Sequence, residues 1–413
     1  MADVKIFARD IEPEAAAQVA SLAALPPFSP SRIRVMPDAH AGKGCVIGFT
    51  ADVTGAVVPN VVGVDVGCGV YAIRLDDEYS EGLVRRLDRA AHEAVPTGFS
   101  VHDKPQIEPS ELDAYECSAG FHDRPQLLGS LGTLGGGNHF VELDRAPDGG
   151  LWLVVHTGSR GIGAQLAHHW QARATSRWYG RDGAAGLEAR RELIERLKRE
   201  GRQAQIQAAL RELSGTGDAP RPAEDQCWLE GDERDAYLHD MALAQRFAER
   251  NRRRIAARLA CAAGARLTGD EVESVHNYID LDGGVIRKGA ISARAGERVI
   301  IPLNMARGCV VGTGLGNEDW NFSAPHGAGR AMSRKKAMAN LSLDEFRRSM
   351  EGVYSTTVCE STLDEAPMAY KDADAIVASL APTVSVDFVM RPVWNFKATG
   401  QGRPGSRGRG GRA

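Results

Sequence analysis

Hydrophobic and polar positions divide the chain into three textures. From residue 1 to about 160, short apolar runs alternate with glycine and turn residues, which predicts many short strands joined by glycine loops. Val61 to Ile73 reads as strand, interrupted loop, strand, and Trp152–His156 as a buried strand ending in a polar residue. From about 161 to 265 the spacing turns helical. Leu187, Leu193, Ile194 and Leu197, then Ile206, Leu210 and Leu213, recur at helix intervals among arginines and glutamates. Asp232 is placed to cap a long helix carrying Leu238, Met241, Phe247, Ile255 and Leu259. From about 272 to 400 strands return, and Ser342 with Glu345 has the capping-box spacing of a further short helix. A helical stretch between two strand-rich ones predicts one intertwined α+β domain of mixed sheets over 1–399. Residues 400–413 form an Arg/Gly-rich tail expected to be flexible.

Composition narrows the class. The 413 residues are 43% hydrophobic and 25% charged, enough for a sizeable core and unlike a disordered chain. No apolar run approaches the roughly 18 residues of a membrane-spanning helix. The start, MADVKIFARDIEPE, has no apolar signal core, so a cytoplasmic location is expected. The formal net charge is -4, although the last 13 residues hold four arginines and no acid. The body is thus the acidic part and does not by itself suggest a nucleic-acid partner. The tail reads equally as a solubilising segment or as a contact to RNA phosphates. Alternating charge reads Arg252, Arg253 and Arg254 as a solvated helix face, with an RNA-facing run as the alternative. Seven scattered cysteines without a CxxC pair read as reduced, mostly buried thiols, Cys68 excepted.

Candidate chemistry gathers at glycine-rich strand ends. His40, His139, His156, His276 and His326 all sit in such settings, with Asp65 and Cys68 three apart in Val64-Asp65-Val66-Gly67-Cys68-Gly69. A thiolate is able to bridge two cations and imidazoles to complete each shell. Ligand softness favours zinc, and the carboxylate keeps manganese or iron open. Gly135–Gly137 and Gly327–Gly329 offer backbone N–H groups to phosphate, and Arg330 adds a fork suited to it. No GxxxxGK[ST] occurs, so this is not a P-loop protein. Arg287 to Gly296 reads either as an exposed basic hairpin or as one edge of a polyanion site.

At these residues the chain resembles the RtcB family of RNA-splicing ligases. The matching stretches are 36–44, 63–69, 132–142, 156–163, 276–278, 287–290, 326–334 and 367–372, in the family's order. The resemblance implies joining of an RNA 3′-phosphate, or a 2′,3′-cyclic phosphate, to a 5′-hydroxyl end, with GTP and two manganese ions. By position, Asp65, Cys68 and His139 would hold one ion, and Cys68, His156 and His276 the other. His326 matches the histidine that becomes guanylylated. Guanylate contacts would fall on Asn138, His139, Phe140, Val141 and Glu142, on His276 and Asn277, and on Pro302, Leu303, Asn304 and Met305. His326, Gly327, Ala328, Gly329 and Lys397 complete that set. Cys309 stands where a guanylate-contacting serine is usual, and Pro302-Leu303-Asn304-Met305 replaces Pro-Gly-Ser-Met. RNA ends are the implied partner, with an archease-type activator in some relatives; no membrane partner is expected, and a monomer is. The altered pocket keeps a second reading open, a metal-dependent phosphodiesterase or phosphatase on RNA ends. An inactive RNA-binding scaffold is a third.

Overall fold

A computed structural model describes residues 2–53, 55–179, 183–213 and 222–400. The expected tail beyond Gly400 lies outside them.

The central element is a five-stranded antiparallel sheet in the order Arg391–Lys397, Phe140–Arg145, Leu151–Thr157, Gly69–Leu75, Leu267–Val275. Both of its faces are covered, which is why Leu151–Val155 is apolar without alternation. One face, with Tyr71, Ile73, Leu143 and Val155, packs on the helix Glu81–Ala94 through Leu83 and Leu87. The long helix Gly231–Ala263 joins it through Ile255 and Leu259. The other face, with Val70, Phe140, Trp152 and Val154, meets Ile300, Cys309, Val311 and Met390. The first three of these belong to a three-stranded antiparallel sheet of Arg298–Asn304, Gly308–Gly314 and Val384–Val389. A second five-stranded sheet runs Asp3–Ile6, Arg32–His40, Ile47–Asp52, Val285–Lys288, Asn277–Asp280, with only its first pair parallel. The expected α+β domain is therefore found, and its helical middle comprises Arg160–Tyr179, Gly183–Arg199, Ile206–Leu213 and Gly231–Ala263.

Several local expectations change. Val61 and Val62 belong to a helical turn, Pro59–Val62, not a strand, because Pro59 opens it at the first helical position. The N-cap position of the long helix is Glu230, two residues earlier than expected and without a side-chain cap, and Asp232 lies in its first turn. Ser342 does cap the helix Leu343–Ser349, its Oγ accepting from Glu345 N at 3.2 Å. The three consecutive arginines are not a solvated face. Arg252 is wholly buried, donating to the carbonyls of Gly67 at 2.8 Å and Thr157 at 2.9 Å and pairing with Glu273. Arg253 pairs with Glu271 and lies over Tyr71. Arg254 alone is exposed.

The basic stretch from Arg287 to Gly296 is only partly an exposed hairpin: Arg294, Ala295 and Gly296 are exposed, whereas Arg287 and Lys288 are buried. Arg287 is 0% exposed, held by Asp280 at 3.1 Å and by Ser323 Oγ at 2.9 Å. Lys288 is buried and donates to the carbonyls of Lys43 at 3.0 Å and Asn60 at 2.9 Å. All four residues of the strand Val285–Lys288 are buried, which overrides what the local charge pattern suggests.

Candidate active site

The register of the central sheet brings four chain segments together at one end. Val70 and Phe140 both pair with His156, and Gly69 pairs with Val275. Cys68 immediately precedes one strand, His139 precedes another, and His276 follows a third. Gly67 turns the backbone with φ +73° just before Cys68, a conformation glycine adopts without strain. Gly158 is required by proximity: a Cβ there would stand 2.1 Å from Asp65 Oδ1.

The side chains converge on the Cys68 sulfur. Its Sγ lies 3.5 Å from His139 Nε2 and 3.3 Å from His156 Nε2. His139 Nε2 is 2.9 Å from Asp65 Oδ2, and His156 Nε2 is 3.4 Å from His276 Nε2. Two overlapping donor groups result, Asp65–Cys68–His139 and Cys68–His156–His276, with the thiol common to both. On the far side of two rings, His139 Nδ1 lies 2.9 Å from the Leu134 carbonyl and His156 Nδ1 3.1 Å from the Asn138 carbonyl. Nδ1–H donation to those carbonyls turns each Nε2 towards the sulfur. His276 Nδ1 is buried without a partner among the described residues.

Burial, with added push from neighbouring positive charge, drives His156 and His276 well below the usual imidazole value, so both are neutral. Burial and the Asp65 carboxylate push the Cys68 thiol well up. Burial alone would raise Asp65, but the charge and hydrogen bond of His139, with the Cys68 hydrogen bond, outweigh it and lower its carboxyl to about 2. Three imidazoles, a thiol and an ionised carboxylate around one small volume form a donor set that fits divalent cations.

His326 follows the strand Ser323–Pro325 and stands beside this cluster, its ring centroid 4.9 Å from that of His276. It lines a cavity of about 610 Å³. The cavity wall holds Asn138, Phe140, Glu142, Pro302, Leu303, Asn304 and Met305, together with Gly327, Ala328, Gly329 and Lys397. Lys397 Nζ sits 5.4 Å from the Phe140 ring centroid and 2.9 Å from Glu365.

Other expected contact residues lie elsewhere. The Val141 side chain is on the opposite face of the sheet, in the core with Leu143. Asn277 fixes the metal-type loop, its Nδ2 donating to Asp65 O at 3.2 Å and its Oδ1 accepting from Gly289 N at 3.1 Å. Cys309 is buried behind Glu142. Arg330 lines the cavity, but its fork is committed to the carbonyls of Met332 at 3.0 Å and Asp364 at 2.8 Å and to Glu365. Asp38 lies within the 36–44 stretch, where no local signal marks it as functional. It is wholly buried and holds His326.

A family model described as tRNA-splicing ligase RtcB matches residues 18–121 and 116–398. The chain belongs to the RtcB family. The RNA-splicing ligase RtcB of Escherichia coli strain K12 is 34% identical over 95% of this chain and 96% of that protein. The tRNA-splicing ligase RtcB of Aeropyrum pernix is 26% identical over 92% of this chain and 89% of its own length. The RNA-splicing ligase RtcB of Mycobacterium tuberculosis is 27% identical over 87% and 94%. The RtcB match thus spans both the Cys68 cluster and the His326 cavity.

Proposed function

We propose that this RtcB-family protein seals RNA 3′-phosphate or 2′,3′-cyclic phosphate ends onto 5′-hydroxyl ends in tRNA splicing or RNA repair, using GTP and two manganese ions. The observation that carries the reading is the position of His326, which touches the Cys68 donor cluster on one side and the cavity on the other.

Asp65, Cys68 and His139 would hold one ion and Cys68, His156 and His276 the other. When bound, the ions supply positive charge beside the reacting phosphates and help expel an oxyanion. His326 attacks the α-phosphorus of GTP through Nε2, and pyrophosphate leaves. Asp38 keeps the Nδ1 proton, so that the Nε2 lone pair faces the cavity. His326 then hands the guanylate to the RNA 3′-phosphate, a cyclic end having first been opened by water. Attack by the 5′-hydroxyl oxygen forms the new phosphodiester, and GMP leaves with the bonding pair. Phe140 and the Pro302–Met305 segment wall the guanylate, Glu142 accepts from the guanine N–H groups, and Lys397 adds positive charge. RNA is held mainly through phosphate contacts, with little reading of sequence. The proposed setting is a cytoplasmic monomer, since seven unpaired thiols suit a reducing compartment. An archease-type protein is the activator to test.

Incubation with α-labelled GTP and manganese, followed by denaturing electrophoresis, tests this. The expected protein label is acid-labile and alkali-stable, and His326→Ala abolishes it. A label undiminished in that variant overturns the nucleophile. No label with manganese bound and activator supplied turns the reading to a metal-dependent phosphodiesterase.

A further inference from the structure

Behind Glu142 lies a third cluster of metal-type donors. Glu142, Asp144 and Cys309 bring two carboxyl groups and a thiol together, with ligand atoms all within 4.8 Å of one another. Glu142 and Asp144 are two apart on the strand Phe140–Arg145 and so share its inner face. Cys309 comes from the facing sheet, and its thiol donates to Glu142 Oε1 at 3.3 Å. That separation suits two ligands of a single tetrahedral ion.

The surroundings supply too few donors. Asn395 gives its Nδ2 to Glu142 Oε2 at 2.8 Å, yet its Oδ1 has no partner although the residue is 0% exposed. Neither carboxylate oxygen of Asp144, also 0% exposed, has a partner of good geometry, although the Cys309 amide and thiol and the Glu142 carboxyl face it. Buried acceptors in native proteins are normally satisfied, and a group of them without donors calls for a positive centre. Val70, Ile300 and Met390 cluster with Cys309, and Trp152, which pairs with Asp144 across the strands, has a buried indole N–H without a partner among the described residues. The Lys397 ammonium acts on Glu142 and favours its carboxylate.

We infer that Glu142, Asp144 and Cys309 form a third cation site, suited to zinc and distinct from the Cys68 cluster, and that a cation and a guanine base exclude each other at Glu142. The exclusion rests on the proposed guanine role of Glu142; the cation site itself does not. Thiolate with carboxylate is a ligand set for zinc, whereas manganese prefers oxygen and imidazole. Burial pushes the Asp144 carboxyl and the Cys309 thiol well above their usual values and raises Glu142 to about 7. Cation entry therefore displaces protons, and occupancy rises with pH.

The test uses the full chain, stripped of metal, refilled with manganese and equilibrated with zinc at excess manganese. Bound metal is read by atomic emission after gel filtration. The expected result is one more zinc per chain in the wild type than in Asp144→Asn, a near-isosteric change, or in Cys309→Ala. Equal zinc in all three proteins overturns the site. GTP at ten times its dissociation constant is expected to weaken the extra zinc about tenfold, as a competitor would. If the extra zinc is present but indifferent to GTP, the cation site stands and the guanine assignment of Glu142 fails.

Discussion

Nδ1 of His326 lies 2.7 Å from Oδ2 of Asp38, a carboxylate with no solvent exposure. The backbone carrying Asp38 is fixed in turn. Lys371 Nζ donates to the carbonyl of Ala39 at 2.6 Å and lies 3.4 Å from that of Pro37. An acceptor that cannot move sets both the tautomer and the plane of the ring. Asp38→Asn is therefore expected to slow guanylylation on the order of a hundredfold. GTP affinity should be unchanged. Single-turnover labelling set against a GTP titration separates the two, and a loss confined to affinity would contradict a positioning role.

Cys68 is the common member of two donor groups, whereas His156 belongs to one. Cys68→Ala should weaken manganese at both positions, by more than about a hundredfold each, since losing a ligand exceeds losing a supporting contact. His156→Ala should empty one position only. Metal content per chain, measured on both variants, distinguishes a shared thiol from two independent sites.

Lys288 joins two segments that border the site, one ending at Lys43 and the other the turn containing Asn60. Burial lowers its ammonium below the ordinary lysine value, which marks how little water reaches it. Lys288→Met keeps most of the length of the side chain and orphans both carbonyls. A loss of about 1–3 kcal/mol in folding free energy is expected. Urea unfolding monitored by tryptophan fluorescence measures it, and an unchanged midpoint would show that the two contacts contribute nothing.

Asp280 faces buried Arg287 and surface Arg294, at 3.1 Å and 2.8 Å. Burial alone would raise this carboxyl, but the two guanidinium groups and the Gly283 amide outweigh it and hold it at about 2. A carboxyl lowered on folding stabilises fully above its unfolded value, near 3.9, and loses that contribution as pH falls through the folded one. Asp280→Asn should cost on the order of 3 kcal/mol at neutral pH, because it leaves Arg287 buried without its counter-ion. The gap between wild type and variant should close between about pH 4 and pH 2. Denaturation at a series of pH values tests the sign, and a gap that widens in acid would refute the pairing.

Much of the Cys68 cluster was legible before the fold was known. Glycine-flanked Asp65, Cys68, His139, His156 and His276 stand out locally, and the family resemblance sorts them into two groups that the sheet register then brings together. The uninterrupted apolar run Leu151–Val155 and the Ser342 cap are equally local signals. Long-range partners are a different matter. Nothing near Arg252 announces Glu273 or the carbonyl of Gly67, and nothing near Arg287 announces Ser323, 36 positions away. A charged residue whose counter-ion is distant in sequence looks like surface. The same holds for Asp38, 288 positions from His326, and for Cys309, 167 positions from Glu142.

The donor residues all lie at one end of the central sheet, and this has a consequence for how the chain tolerates change. A one-residue slip of Leu151–Thr157 against its neighbours would turn His156 to the other face, so length there is fixed by chemistry as well as by stability. The tight connection at 146–150 closes the same hairpin at the opposite end, with Pro147 and Asp148 exposed. An inserted segment there leaves every register partner of His156 in place. That turn is accordingly where an affinity tag or fluorescent reporter belongs, and where natural length variation is compatible with an intact catalytic end.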